Sequence, residues 1–246
     1  MRIAAMLFLL PLLLIFTSPL QGAAQQQVPI LIYHSIDEFK GSGSKELYVT
    51  PENFEKQMKY LKDNGYTLLT FERWDEIDKV NKPIFITLDD GYKNNLNVLN
   101  VFRKLQDTAF QPAATLFVIS DFVGRSTRLS KTELKNLAGT GFFSIQSHTA
   151  THPDLTKEVD FKYELGQSKK NIEKITGKPV IALAYPYGNF NDRVVAETKK
   201  YYQFGLTTTP GPYVKQGVKN ERYLLPRIYV KYSTTMEEFK TAVQSN

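Results

Sequence analysis

The stretch Ile84-Phe85-Ile86-Thr87-Leu88-Asp89-Asp90-Gly91-Tyr92 runs a buried type of β-strand straight into two adjacent carboxylates. A continuous run of β-branched and apolar residues marks a strand covered on both faces, as in a parallel sheet. The same arrangement recurs along the chain. Residues 28–33 read as a strand that ends on His34, 142–146 as one that delivers Ser147 and His148, and 180–184 as one that leads into Tyr185-Pro186-Tyr187-Gly188. Further strands are expected at 67–70, 114–119, 204–207 and 224–230.

Helical patterns separate these strands. Thr50 is placed to cap a helix that has Pro51 at its first position, Phe54, Met58 and Leu61 on one stripe, and Gly65 at its end. Leu96–Leu105 repeats apolar residues at helical spacing, and Ser130 with Glu133 forms a capping box. Helices are also expected at 163–175, 192–201 and Met236–Val243. Strand–helix alternation over this length implies a parallel sheet covered by helices. His34, Asp89, Asp90, His148 and Tyr187 all fall at or just past the C-terminal ends of strands. A (β/α) barrel gathers those ends on one face, whereas an open doubly wound sheet spreads them along a line. The expectation is therefore an α/β barrel with its site at that face.

The chemistry-bearing residues are few. The chain has three histidines, and two of them share the pentapeptide His148-Thr149-Ala150-Thr151-His152. Imidazole nitrogens and a carboxylate oxygen make a good ligand set for a divalent, zinc-like ion. A second carboxylate beside the ligand aspartate can take a proton from an attacking water. On residue chemistry alone the chain reads as a metal-dependent hydrolase.

Composition bounds the rest. Residues 1–24 have the pattern of a secretory signal peptide: Arg2, an apolar run over 3–16 broken only by Pro11, and a small-residue end at Gly22-Ala23-Ala24. Residues 25–246 then form one catalytic domain, with no long linker and no internal repeat. No stable membrane span is expected after cleavage. The formal net charge of +6 falls to +5 once Arg2 leaves. The basic residues are scattered, which argues against nucleic-acid binding. No cysteine is present, so disulfides are excluded. A secreted monomer is expected, and its mild positive charge fits either association with anionic cell-wall polymers or solubility alone.

Three segments resemble motifs of the polysaccharide deacetylases, the NodB-homology group of carbohydrate esterases. They are Thr87 to Tyr92, Ser147-His148-Thr149-Ala150-Thr151-His152-Pro153-Asp154-Leu155, and Ala184-Tyr185-Pro186-Tyr187-Gly188. The resemblance implies a distorted (β/α) barrel of the NodB type, with Asp89 as catalytic base and Asp90, His148 and His152 as ligands of a divalent metal, zinc by preference. It also implies a backbone donor at Tyr187 for the oxyanion, and removal of acetyl groups from an N-acetylated polysaccharide. Peptidoglycan, chitin-like polymers and exopolysaccharides are all open as substrates. The chain departs from the family pattern in lacking the third-motif arginine near Ala184, the tryptophan-bearing fourth motif, and any histidine after His152. Tyr33-His34-Ser35 resembles the arrangement from which a poly-N-acetylglucosamine branch of the family takes its acid, so His34 is the candidate acid. Arg227 is the candidate to replace the missing arginine from another strand. A catalytically weak glycan-binding relative, or a hydrolase of another carbon–nitrogen amide bond, are the alternatives.

Overall fold

Eight strands, each paired in parallel with its neighbours, hold the molecule together in a computed structural model that describes residues 26–244. They are β1 (Ile30–Tyr33), β2 (Thr67–Leu69), β3 (Pro83–Leu88), β4 (Ala114–Val118), β5 (Phe143–Ser147), β6 (Ala182–Ala184), β7 (Phe204–Leu206) and β8 (Ile228–Tyr229). Their order is β7-β6-β5-β4-β3-β1-β8, with β2 pairing alongside the start of β3. The expected signal peptide lies outside the described residues.

The segment around Arg227 draws β1 and β7 together. Leu225 bridges Leu206 in parallel, its N–H donating to the Gly205 carbonyl and its carbonyl accepting from Thr207 N–H. Three residues later, Ile228 sits opposite Leu31 of β1. A few hydrogen bonds thus curl the sheet into the distorted barrel. The sequence suggests one strand over 224–230, but Pro226 lacks an N–H and cannot donate to a ladder, so the pairing changes partner there. Pro29 interrupts the expected strand over 28–33 in the same way. Its carbonyl still accepts from Phe85 N–H, while Gln27–Val28 pairs antiparallel with Tyr213–Val214.

Side chains alternate between two buried clusters. Ile30, Phe85, Phe117, Ala184, Phe204 and Leu206 fill the barrel interior with Phe71 and Trp74. Leu31, Ile86, Leu116, Ile145 and Leu183 face the helices. This period-two alternation fixes the register, because a one-residue slip would exchange the two sets.

The helices are α1 (Pro51–Asp63), α2 (Leu96–Leu105), α3 (Lys131–Gly139), α4 (Ser168–Thr176), α5 (Asp192–Thr198) and α6 (Met236–Val243). Thr50 caps α1 through Asn53 N–H, and Ser130 and Glu133 form both halves of the capping box of α3. The expected helix over 163–175 differs: its first part, Lys162–Gln167, is a π-helical turn that passes into α4. The helix expected over 192–201 is regular only to Thr198. No helix among the described residues is long and apolar enough to cross a membrane.

Candidate active site

The two carboxylates owe their placement to the turn that ends β3. Asp89 still belongs to the sheet, its N–H donating to the Tyr33 carbonyl. Asp90 (φ 71°) and Gly91 (φ 62°) then take left-handed conformations. Asp tolerates that region better than most residues. Glycine is required next, because a Cβ there would lie 2.9 Å from Val118 Cγ1. The turn thereby separates the two side chains, so that Asp89 meets the interior and Asp90 the histidines.

His148 follows β5 and keeps one sheet bond, from its N–H to the Val118 carbonyl. Its Nδ1 lies 2.8 Å from the Ala184 carbonyl oxygen. A carbonyl can only accept, so Nδ1 carries the hydrogen and Nε2 presents its lone pair. Thr149 (φ 68°) and His152 (φ 65°) are both left-handed, at a cost of about 1–3 kcal/mol each. The loop between them brings the second imidazole back beside the first, with ring centroids 4.7 Å apart.

Asp90, His148 and His152 are the group among the described residues that can hold a metal ion, with ligand atoms within 4.8 Å of one another. Asp90 Oδ1 lies 3.7 Å from His148 Nε2 and 3.8 Å from His152 Nε2. Ligand bonds of 2.0–2.1 Å at tetrahedral angles require separations of about 3.4 Å. The two Asp90–histidine separations therefore need shifts of only a few tenths of an ångström to suit such an ion. Burial and then the neighbouring His148 push the His152 imidazole down to about 4, so at neutral pH it is in the uncharged form that a metal requires.

Asp89 is gripped from the opposite end of the sequence. Arg227 Nη1 and Nη2 donate to its Oδ1 and Oδ2 at 2.8 and 2.9 Å, a bidentate pair. Arg227 Nε donates to the Thr207 carbonyl, and the arginine side chain is 0 % exposed. Burial raises the Asp89 carboxyl, but Arg227 and then His148 outweigh it and hold the group at about 2. Asp89 is thus an anion throughout the physiological range. Each of its oxygens keeps a further lone pair beyond the guanidinium bond.

His34 lines the same cavity of about 540 Å³ as Asp89, Asp90, His148, His152 and Tyr187. Tyr229 stacks on the His34 ring with centroids 5.4 Å apart, and its hydroxyl lies 3.3 Å from His34 Nδ1. Burial, followed by Asp89 and Asp90, pushes the Tyr229 hydroxyl well above its usual range, so it stays protonated and able to donate. Burial lowers the His34 imidazole, while Asp89 and Asp90 pull it the other way. Tyr187 is 64 % exposed at the rim, edge-on to the His152 ring. Gly188 follows it because a Cβ there would collide with Thr208 at 2.0 Å.

All seven residues singled out from the sequence therefore meet in one place: the cavity brings six of them together, and Arg227 lies beneath it on Asp89. Among the nearby aromatics, Tyr187 and Phe190 are exposed, whereas Tyr185 and Tyr213 are buried. Sequence reasoning missed Tyr229, Lys231 and Leu47 in the cavity wall. Tyr229 was within reach, because strand alternation from Arg227 puts it on the same face.

The family model described as polysaccharide deacetylase matches residues 76–205. A solved polysaccharide deacetylase from Bacillus cereus is 54 % identical, with a TM-score of 0.88, and the match covers 89 % of this chain and 70 % of that one. YxkH of Bacillus subtilis is 32 % identical over 229 residues, covering 89 % of this chain and 77 % of the relative. The poly-β-1,6-N-acetyl-D-glucosamine N-deacetylase of Staphylococcus epidermidis is 29 % identical over 224 residues, covering 80 % and 75 %.

Proposed function

Because this chain belongs to the polysaccharide deacetylase family, we propose that it removes acetyl groups from N-acetylglucosamine units of an extracellular polysaccharide, with zinc at Asp90, His148 and His152. The observation that carries this reading is the bidentate grip of Arg227 on Asp89 directly beside that ligand triad. It supplies from another strand the arginine that the third motif lacks. The likeness to a poly-β-1,6-N-acetyl-D-glucosamine deacetylase makes that polymer the first to test, ahead of chitin-like polymers and peptidoglycan. The chain acts as a secreted monomer of one catalytic domain, 25–246, after loss of residues 1–24.

A bound zinc ion would supply Lewis acidity for the acetamide carbonyl and ease deprotonation of water. The chain's own groups do the rest. Asp89 takes the proton of the attacking water, and Arg227 keeps its carboxylate ionised and aimed. The backbone at Tyr187 donates to the oxygen that gains charge as water adds to the amide carbon. His34 gives a proton to the departing amine, since an amide anion is a very poor leaving group. Tyr229 orients the His34 ring through the stack and the Nδ1 contact.

Two variants test these roles, read by acetate release and metal content. Asp89→Asn is nearly isosteric but cannot accept the proton, and should lose turnover by about 10²–10⁴-fold with zinc still bound. Parental turnover in this variant would make Asp89 structural. His34→Ala should also keep its zinc, yet turn over acetamides slowly. Its deficit should shrink on substrates with better leaving groups, and it should lack the fall in rate expected of the parent as rising pH strips the acid of its proton. A deficit of the same size on every leaving group would assign the proton to another residue.

A further inference from the structure

We propose that Glu164 is a positioning residue for the metal loop, holding the backbone between His148 and His152 in its left-handed shape; this rests on the ligand assignment above. Glu164 is 6 % exposed. Its Oε2 accepts from the N–H groups of Ala150 (3.0 Å) and Thr151 (2.9 Å), and its Oε1 accepts from the Thr151 hydroxyl (2.6 Å). Among the described residues it forms no ion pair, so its carboxylate is engaged entirely by the loop that separates the two imidazoles.

The π-helical turn explains how an acid reaches this position. Glu164, Leu165 and Gly166 are buried in succession, although steps of about 100° along an α-helix would send at least one of them outward. A π turn is wider, and such turns often sit at functional sites. Asp160 starts this one, its side chain accepting from Lys162 and Tyr163 N–H and its carbonyl from Glu164 N–H. Gly166 lets the turn close against Tyr201, where a Cβ would lie 2.8 Å from the ring. The turn is thus wedged behind the loop, and Glu164 reaches across to it.

The other side of the loop is tied down as well. Ser120 and Asp121 N–H donate to the carbonyls of Thr149 and Ala150, and Thr149 Oγ1 accepts from His152 N–H. With Glu164, these bonds leave residues 149–152 little freedom. A loop with two strained residues, Thr149 and His152, keeps that shape only when its surroundings over-determine it. Without Glu164 the N–H of buried Ala150 and that of Thr151 lose their acceptor, and the loop can relax to a form in which His148 and His152 no longer converge on Asp90.

The test is zinc affinity of the folded, metal-free protein, measured by competition with a chromophoric chelator, together with the cobalt absorption spectrum. Glu164→Ala should bind zinc about 10–100-fold more weakly, the usual cost of losing a group that orients ligands. Glu164→Gln can still accept both N–H groups with its amide oxygen and donate to Thr151 Oγ1, so it should stay within about threefold of the parent. Thr151→Val, which removes one bond of the three, should fall by about three- to tenfold. If Glu164→Ala does not fold, the Gln and Val variants decide alone. Parental zinc affinity and cobalt spectrum in folded Glu164→Ala, or in Thr151→Val, would overturn the proposal. So would a Gln variant as weak as Ala, which would assign the effect to charge rather than placement. A parent protein binding zinc no better than His148→Ala would instead overturn the ligand assignment.

Discussion

His148→Ala is expected to lose bound zinc and acetate release together. Three protein ligands leave no spare one, and a site reduced to Asp90 and His152 should lose most of its affinity. The imidazole is buried, with its Nδ1 hydrogen bond to Ala184 already setting the tautomer that frees Nε2. Little metal-independent activity should remain, because the acetamide carbonyl would lose its polarising partner. The fold should survive, since the strands on either side of β5 keep their ladders. Elemental analysis beside an acetate assay checks this. Full zinc occupancy in the variant would remove His148 from the ligand set.

Arg227→Met is expected to have the second large effect, on stability and on pH dependence. The substitution keeps most of the side-chain volume but leaves the Asp89 carboxylate buried without its cation. Breaking a buried pair in this way costs about 3–5 kcal/mol. The sign of the pH effect follows from the lowered Asp89 carboxyl. In the parent, its contribution to stability is fully present above the ordinary value of 3.8 and is lost as pH falls through about 2. In the variant burial acts with less opposition, so the Asp89 group rises. The acid limb of the pH–rate profile should then move to higher pH. Adding Asp89→Asn should recover part of the lost stability, because no buried charge remains unpaired. Chemical denaturation of the metal-free proteins and a pH–rate series measure both effects. An Arg227→Met protein as stable as the parent, with an unmoved acid limb, would show that the guanidinium does not tune Asp89.

The barrel was legible because its signals are local. Runs such as Ile84 to Leu88 announce buried strands, and the residues that follow them stand out as polar against apolar. Asp89, Asp90, His148 and His152 were legible for the same reason. The prolines at 29 and 226 were visible too, but the partner change that each one forces depends on which strand lies alongside. Arg227 could be named only as a candidate: its bond to Asp89 joins residues 138 positions apart, and nothing local distinguishes it from a surface arginine. Glu164 was hidden more completely. The pattern over 163–175 is that of an ordinary amphipathic helix, in which a glutamate is expected to face solvent. Only the π turn, a departure set by packing against Tyr201 and the metal loop, turns it inward.

The most direct test of the account is acetate release from poly-β-1,6-N-acetyl-D-glucosamine, a chitin-like oligomer and peptidoglycan as zinc is returned to chelator-stripped protein. The stripped protein should be inactive. Acetate release from at least one polymer should return in proportion to added zinc and level off at one ion per chain. Acetate release by the stripped protein at the full rate, or none from any of the three polymers by the fully loaded protein, would contradict it.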